Sequence, residues 1–185
     1  MRIISGYLKG RRFSPPKSFK ARPTTDIARE SLFNVLNNRV DFEDLKVLDL
    51  FAGTGSISYE FASRGCTDVT TVEMNYKHYS YIKSMLAELE LEDDIQLFKA
   101  DAFKYMQKSS VQYDLVFADP PFDLKNFDSI PDQFFKNSLL KDDGIFILEH
   151  SDKMSFEKHS HFSELKKYGK VHFSFFKPQQ LTKPV

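Results

Sequence analysis

From Lys46 onward, five short apolar runs alternate with four amphipathic segments, and few folds accommodate that rhythm. KVLDLF (46–51), DVTTVEM (68–74), DIQLFKA (94–100), YDLVFAD (113–119) and GIFILEH (144–150) read as strands rich in β-branched and large apolar residues. SISYEFASRG (56–65), NYKHYSYIKSMLAEL (75–89), DAFKYMQ (101–107) and DSIPDQFFKNS (128–138) read as the helices between them. Pro131 suits the first turn of the last helix better than its interior. A strand, a crossover helix and a further apolar strand predict a mainly parallel sheet covered on both faces. FSELKKYG and KVHFSFFK flank Gly169 and add an antiparallel pair, which brings the sheet to seven strands. The expected class is α/β.

The upstream segment differs in charge. The chain balances 26 basic against 26 acidic residues, but the balance is uneven along its length. Arg2, Lys9, Arg11, Arg12, Lys17, Lys20, Arg22 and Arg29 stand against Asp26 alone, so residues 1–29 carry +7 and residues 30–185 carry −7. A basic arm on an acidic body suits a nucleic-acid partner, because cationic side chains displace counterions from phosphates. A solvated basic tail has the same charge. Interleaved Ile3, Ile4, Tyr7, Leu8 and Phe13 favour a folded arm instead, read as a hairpin of Arg2–Ser5 and Arg11–Ser14 around Gly6 and Gly10. Pro15, Pro16 and Pro23 mark an extended connector. The expected division is residues 1–22 as hairpin and connector and 23–185 as the main domain. A helix then begins near Thr24, with Thr25 or Asp26 as its N-cap and Ile27, Leu32, Phe33, Val35 and Leu36 along one side.

One cysteine, Cys66, excludes an intramolecular disulfide. No run approaches the roughly 20 apolar residues of a membrane helix, and MRIISGYLKGRR lacks a secretory apolar core. A cytoplasmic protein that does not enter membranes is expected. His159 and His161 lie far from Cys66 in sequence, with no metal-ligand spacing, so no metal is expected. His150 beside Glu149 reads as structural.

The chemistry-bearing residues fall at strand ends. The first strand runs into DLFAGTGS (49–56), where Gly53 and Gly55 allow a tight turn and close backbone approach before a helix N-terminus. A dinucleotide fingerprint needs a third glycine where this chain has Ser58. Asp49, inside the strand end, suits a cation better than a pyrophosphate. Glu73 ends the second strand 18 residues past Gly55, where a carboxylate can accept both ribose hydroxyls. Asp101 follows the third strand and fits either an adenine amino group or a helix N-cap. The fourth strand ends in Asp119-Pro120-Pro121-Phe122. Two prolines remove backbone donors and stiffen the loop, Asp119 supplies acceptors, and Phe122 supplies a flat face, a combination suited to an exocyclic amine on a planar base.

In the order DLFAGTGS, TVEMN, KADAF, DPPF the chain resembles the Rossmann-like, S-adenosylmethionine-dependent class I methyltransferases that modify amino groups. With MRIISGYLKGRRF, RPTTDIARESLFNVL, VLDLFAGTGSISYEFASRG, a late LEH and YGKV, it resembles the bacterial RsmD family from Met1 to about Lys177. Those enzymes methylate the exocyclic N2 of a guanine in 16S ribosomal RNA. The resemblance implies S-adenosylmethionine as cofactor, and 16S ribosomal RNA or the small ribosomal subunit as partner. It implies Asp49, Phe51, Gly53 and Gly55 around the methionine part, Glu73 on ribose, and Met74, Asp101 and Ala102 at adenine. Arg22, Thr24 and Thr25 of the RPTTD block would cover the cofactor. Asp119 would border it and, with Pro120 and Phe122, carry catalysis, while Arg2, Lys9, Arg11 and Arg12 would meet RNA. Phe122 stands where Tyr is usual, which keeps stacking and removes a hydroxyl. A monomer is expected. The alternatives are an amino-methyltransferase acting on another RNA, on the N6 of DNA adenine or on protein glutamine, a non-catalytic RNA-binding protein on the same fold, and a nicotinamide oxidoreductase. Ser58 and the DPPF loop disfavour the last.

Overall fold

The computed structural model describes residues 1–16, 19 and 26–179. Helix α1 (Asp26–Leu36) precedes β1 (Lys46–Leu50), α2 (Ser56–Ser63), β2 (Asp68–Glu73), α3 (Tyr76–Leu89) and β3 (Ile95–Lys99). There follow α4 (Ala102–Lys108), β4 (Tyr113–Ala118), a 3₁₀ turn (Phe127–Ser129), α5 (Ile130–Phe135), β5 (Leu140–Ser151), β6 (Phe162–Tyr168) and β7 (Val171–Phe176). The strands form one sheet in the order β3-β2-β1-β4-β5-β7-β6. The first five are parallel, and β7 runs antiparallel to both β5 and β6. This is the α/β architecture that the alternation predicts.

Successive strand residues supply two separate cores, as the period-two geometry of a strand requires. Val47, Val69, Leu115 and Phe117 share one core with Leu32 and Phe33 of α1, Phe61 of α2 and Ile82 of α3. Leu48, Val72, Val116 and Ala118 share the other with Met106 of α4 and Phe134 of α5.

Three expectations need correction. Ile27 is 76% exposed: α1 buries Ala28, Arg29, Leu32, Phe33 and Leu36, and Ile27 sits one position ahead of that i, i+4, i+8 stripe. The helix expected over 128–138 divides into the 3₁₀ turn and a short α5 that stops at Phe135, with Pro131 in its first turn. The two N-terminal strands reduce to a single antiparallel bridge between Arg2 and Arg12.

That N-terminal hairpin is nevertheless built into the body. Ile3 and Phe13 are buried in the first core, with Phe13 edge-on to Tyr59 of α2 at 5.5 Å. Glu60 on α2 accepts the Ile4 and Ser5 N–H groups at 2.8 and 3.0 Å, and Ser63 Oγ donates to the Ser5 carbonyl at 2.6 Å. At the turn, a Cβ on Gly6 would sit 1.6 Å from the Ser63 carbonyl oxygen, and its φ is +79°, so only glycine fits.

Candidate active site

The chain order reverses between β1 and β4, and in open α/β sheets ligands bind beyond the carboxyl ends of the strands at such a point. Backbone hydrogen bonds tie those ends together: Ala52 N–H to the Val72 carbonyl at 3.1 Å, Ala100 N–H to that of Glu73 at 3.2 Å, and Asp119 N–H to that of Leu50 at 3.4 Å. Asp49 to Gly55, Glu73 and Met74, Asp101 and Ala102, and Asp119 to Phe122 therefore meet along one edge.

The loop after β1 is bent by three left-handed residues, Phe51 (φ +60°), Gly53 (+58°) and Gly55 (+78°). For Phe51 that conformation costs about 1 kcal/mol or more, and its ring packs edge-on to Phe103 at 5.8 Å. The two glycines differ in surroundings. A Cβ on Gly53 would make only an ordinary contact with the Phe51 carbonyl oxygen at 3.8 Å, whereas one on Gly55 would strike the Tyr59 hydroxyl at 2.5 Å.

Glu73 clasps this loop. Its Oε2 accepts the Gly53 N–H at 2.8 Å and its Oε1 the Asn75 N–H at 2.6 Å, while His78 Nδ1 stands 3.8 Å from Oε2. A carboxylate has about four acceptor sites, so both oxygens retain capacity for a ligand. Met74, next in the chain, is 63% exposed and offers an apolar face. Asp101 caps α4, its Oδ1 accepting the Lys104 N–H at 2.9 Å, and Ala102 is buried behind it.

Asp49 is 1% exposed. Its Oδ2 accepts the Ser58 hydroxyl at 2.6 Å, and Ser58 Oγ lies 2.7 Å from Thr71 Oγ1. Burial pushes the Asp49 carboxyl up to about 7; hydrogen bonds from Ser58 pull it down and the charge of Glu73 pushes it up.

Beyond β4, Asp119 is half-buried and Pro120 buried, and the Leu124 N–H closes a turn on the Pro121 carbonyl at 2.9 Å. Phe122 projects, 47% exposed, edge-on to the buried Phe127 at 6.4 Å, and Phe127 in turn lies 6.4 Å from Phe156. The exposed ring thus stands on a buried aromatic base.

Arg2, Lys9, Arg11 and Arg12 are all exposed, but they do not share one place. Met1 Sδ lies 3.9 Å from the Thr54 hydroxyl in the glycine loop, whereas Leu8 N–H reaches Ser63 Oγ at the other end of α2. An eight-residue helix separates these ends by about 12 Å. Arg2 and Arg12 therefore lie toward the site and Lys9 away from it. Arg29, counted with the basic arm in the sequence, is fully buried. It donates to the Arg2 carbonyl and, at 3.0 Å, to Asp26, and burial lowers its pKa. It cannot reach a phosphate. Arg22, Thr24 and Thr25 lie outside the described residues.

Sequence pattern alone does not mark Thr71 or Phe127, and it shows Ser58 only as a missing glycine. For Glu60, an acid within the apolar SISYEFAS run is a usable signal. His150 is a buried structural group, bonded to Ser174 Oγ at 2.8 Å and the Ser151 carbonyl at 2.9 Å.

The fold is that of the class I, S-adenosylmethionine-dependent methyltransferases, with the acidic residues, glycine loop and DPPF turn at its ligand edge. The chain belongs to the family described as Conserved hypothetical protein 95, the RsmD family, whose model matches residues 1–177. It is 33% identical over 153 residues to the "Putative rRNA methyltransferase YlbH" of Bacillus subtilis, covering 81% of this chain and 82% of that one. It is 31% identical over 149 residues to the "Ribosomal RNA small subunit methyltransferase D" of Escherichia coli, covering 80% and 74%. Among solved structures, a "Putative methyltransferase yhhF" from Escherichia coli superposes with a TM-score of 0.82 at 27% identity, covering 95% of this chain and 96% of that one.

Proposed function

We propose that this protein transfers a methyl group from S-adenosylmethionine to the exocyclic N2 of a guanine in 16S ribosomal RNA, acting as a monomer in the cytoplasm. The observation that carries the reading is the juxtaposition of Asp119-Pro120-Pro121-Phe122 with the glycine loop across the β1–β4 switch point. The family membership and the printed name of the Escherichia coli relative support ribosomal RNA of the small subunit as the substrate.

The residues present fit the cofactor. Gly53 is uncrowded, Glu73 keeps acceptor capacity for ribose hydroxyls, and Met74 exposes an apolar side chain for adenine. Asp49 and Glu73 make the edge electronegative, which suits a cationic ligand. When bound, S-adenosylmethionine supplies an electrophilic methyl on a sulfonium sulfur. Asp101 and Ala102 would hold the adenine edge, and Phe51 would line the methionine side.

The protein's part is to improve and aim a poor nucleophile. The guanine N2 lone pair is delocalised into the ring. Asp119 and the Pro120 carbonyl accept its two N–H bonds, which localises the lone pair and fixes its direction. Phe122 stacks on the extruded base and sets its plane. No strong base is needed, because the alkylated amine is acidic and gives up a proton readily. In this reading residues 23–185 are the catalytic body and residues 1–22 the arm. Arg2 and Arg12 meet phosphates beside the site, with Arg11 and Lys9 further along the arm.

The test is transfer of labelled methyl, offered in parallel to total ribosomal RNA, assembled small subunits, duplex DNA and protein extract. Label confined to 16S RNA is expected. Label in DNA or protein instead would overturn the substrate while keeping the reaction.

A further inference from the structure

Ser58 occupies the place where a third glycine would make a dinucleotide site, and it is wholly buried. When Asp49 is ionised, the one hydroxyl proton of Ser58 lies on Asp49 Oδ2 at 2.6 Å, so at the 2.7 Å contact with Thr71 Oγ1 Ser58 accepts and Thr71 donates. Thr71 and Asp49 are register partners on β2 and β1, and all three side chains are at most 1% exposed. The relay therefore spans two strands and the first turn of α2, and each hydrogen bond fixes the next.

We propose that Ser58 and Thr71 are positioning residues for the cofactor: they hold the Asp49 carboxylate beneath the glycine loop as counter-anion to the positively charged S-adenosylmethionine. This rests on the methyltransferase reading and adds to it two residues and a proton linkage. Among the described residues, the other titratable groups facing Asp49 are Glu73 of β2 and Tyr59 of α2. Its neighbour on β4 is the apolar Phe117, so no protein cation meets it there. Asp49 accordingly takes up a proton near neutrality when alone, and a cationic ligand favours its ionised form. Binding of the cofactor releases that proton. Cutting the relay removes a hydrogen bond to the charged form and raises the pH at which Asp49 ionises.

The experiment is calorimetric titration of the protein with S-adenosylmethionine from pH 5.5 to 9, for wild type, Ser58→Ala, Thr71→Val and Asp49→Asn. A carbon-13 titration of the Asp49 carboxyl in the ligand-free protein accompanies it. Wild-type affinity should fall by up to about tenfold per pH unit below about pH 7. Ser58→Ala should move that onset upward by about one pH unit, Thr71→Val should move it the same way by less, and Asp49→Asn should abolish it. The ligand-free titration should move in step. Ser58→Ala and Thr71→Val profiles that superpose on the wild type would overturn the inference alone. No binding by wild type at any pH would overturn the methyltransferase reading, and the inference with it.

Discussion

The Ser63 carbonyl, at the end of α2, accepts the Tyr7 N–H at 2.9 Å, so the N-terminal hairpin serves as a cap for that helix. The same hairpin satisfies Glu60, a carboxylate 1% exposed that also holds Arg64 at 2.8 Å. Glu60→Ala strips the partner from two backbone donors and leaves a nearly buried guanidinium without its ion pair. A loss of about 3–5 kcal/mol is expected in denaturant unfolding. A loss under 1 kcal/mol would mean that the hairpin docks without this anchor.

Because the arm is structural as well as basic, its RNA role is read from charge changes and not from deletion. Replacing Arg2 and Arg12 by Ala should weaken RNA binding and flatten its salt dependence by about one unit of slope per lost contact. Lys9→Ala, at the far end of α2, should do much less. Equal effects of all three in filter binding at several salt concentrations would contradict the placement of the RNA near the glycine loop.

Phe122 is 47% exposed and meets the buried Phe127 at 6.4 Å. Phe122→Ala should reduce kcat/KM by about 10–100-fold, the worth of one base–aromatic stack, with cofactor affinity unchanged. Phe122→Tyr should retain activity. Steady-state kinetics on 16S RNA read both, and an inactive Tyr variant would show that more than stacking is at stake.

Asp49 also governs stability against pH. Its folded-state pKa is raised, to about 7 from an ordinary carboxylate value, so its contribution is fully present in acid and is lost as pH rises through 7. The ligand-free protein should therefore lose on the order of a few kcal/mol between pH 5 and pH 8 from this group. Asp49→Asn should remove that slope and be the more stable protein at pH 8, measured by thermal unfolding without cofactor. A wild-type slope unchanged in the variant would assign the effect to other groups.

The sheet was legible because strand periodicity and the crossover helices are local signals, and the strand-end residues followed from it. What escaped depends on contacts between distant segments. The helix expected over 128–138 carries its apolar residues at Ile130 and Phe134, so periodicity marked the centre and missed where packing ends it. Arg29 read as arm charge because only the tertiary structure places it beneath the Arg2 carbonyl. Ser58 read as an absence because its meaning lies in Asp49 and Thr71, 9 and 13 residues away.

The loop that accepts the amine carries the central claim. Asp119→Ala should abolish transfer while leaving cofactor affinity within a few-fold of wild type. The most direct measurement is nucleoside mass spectrometry of 16S RNA after incubation with S-adenosylmethionine and either protein. N2-methylguanosine formed by wild type and missing with Asp119→Ala is the predicted result. Methylation of another base or position, or undiminished N2-methylguanosine with the variant, would contradict the account.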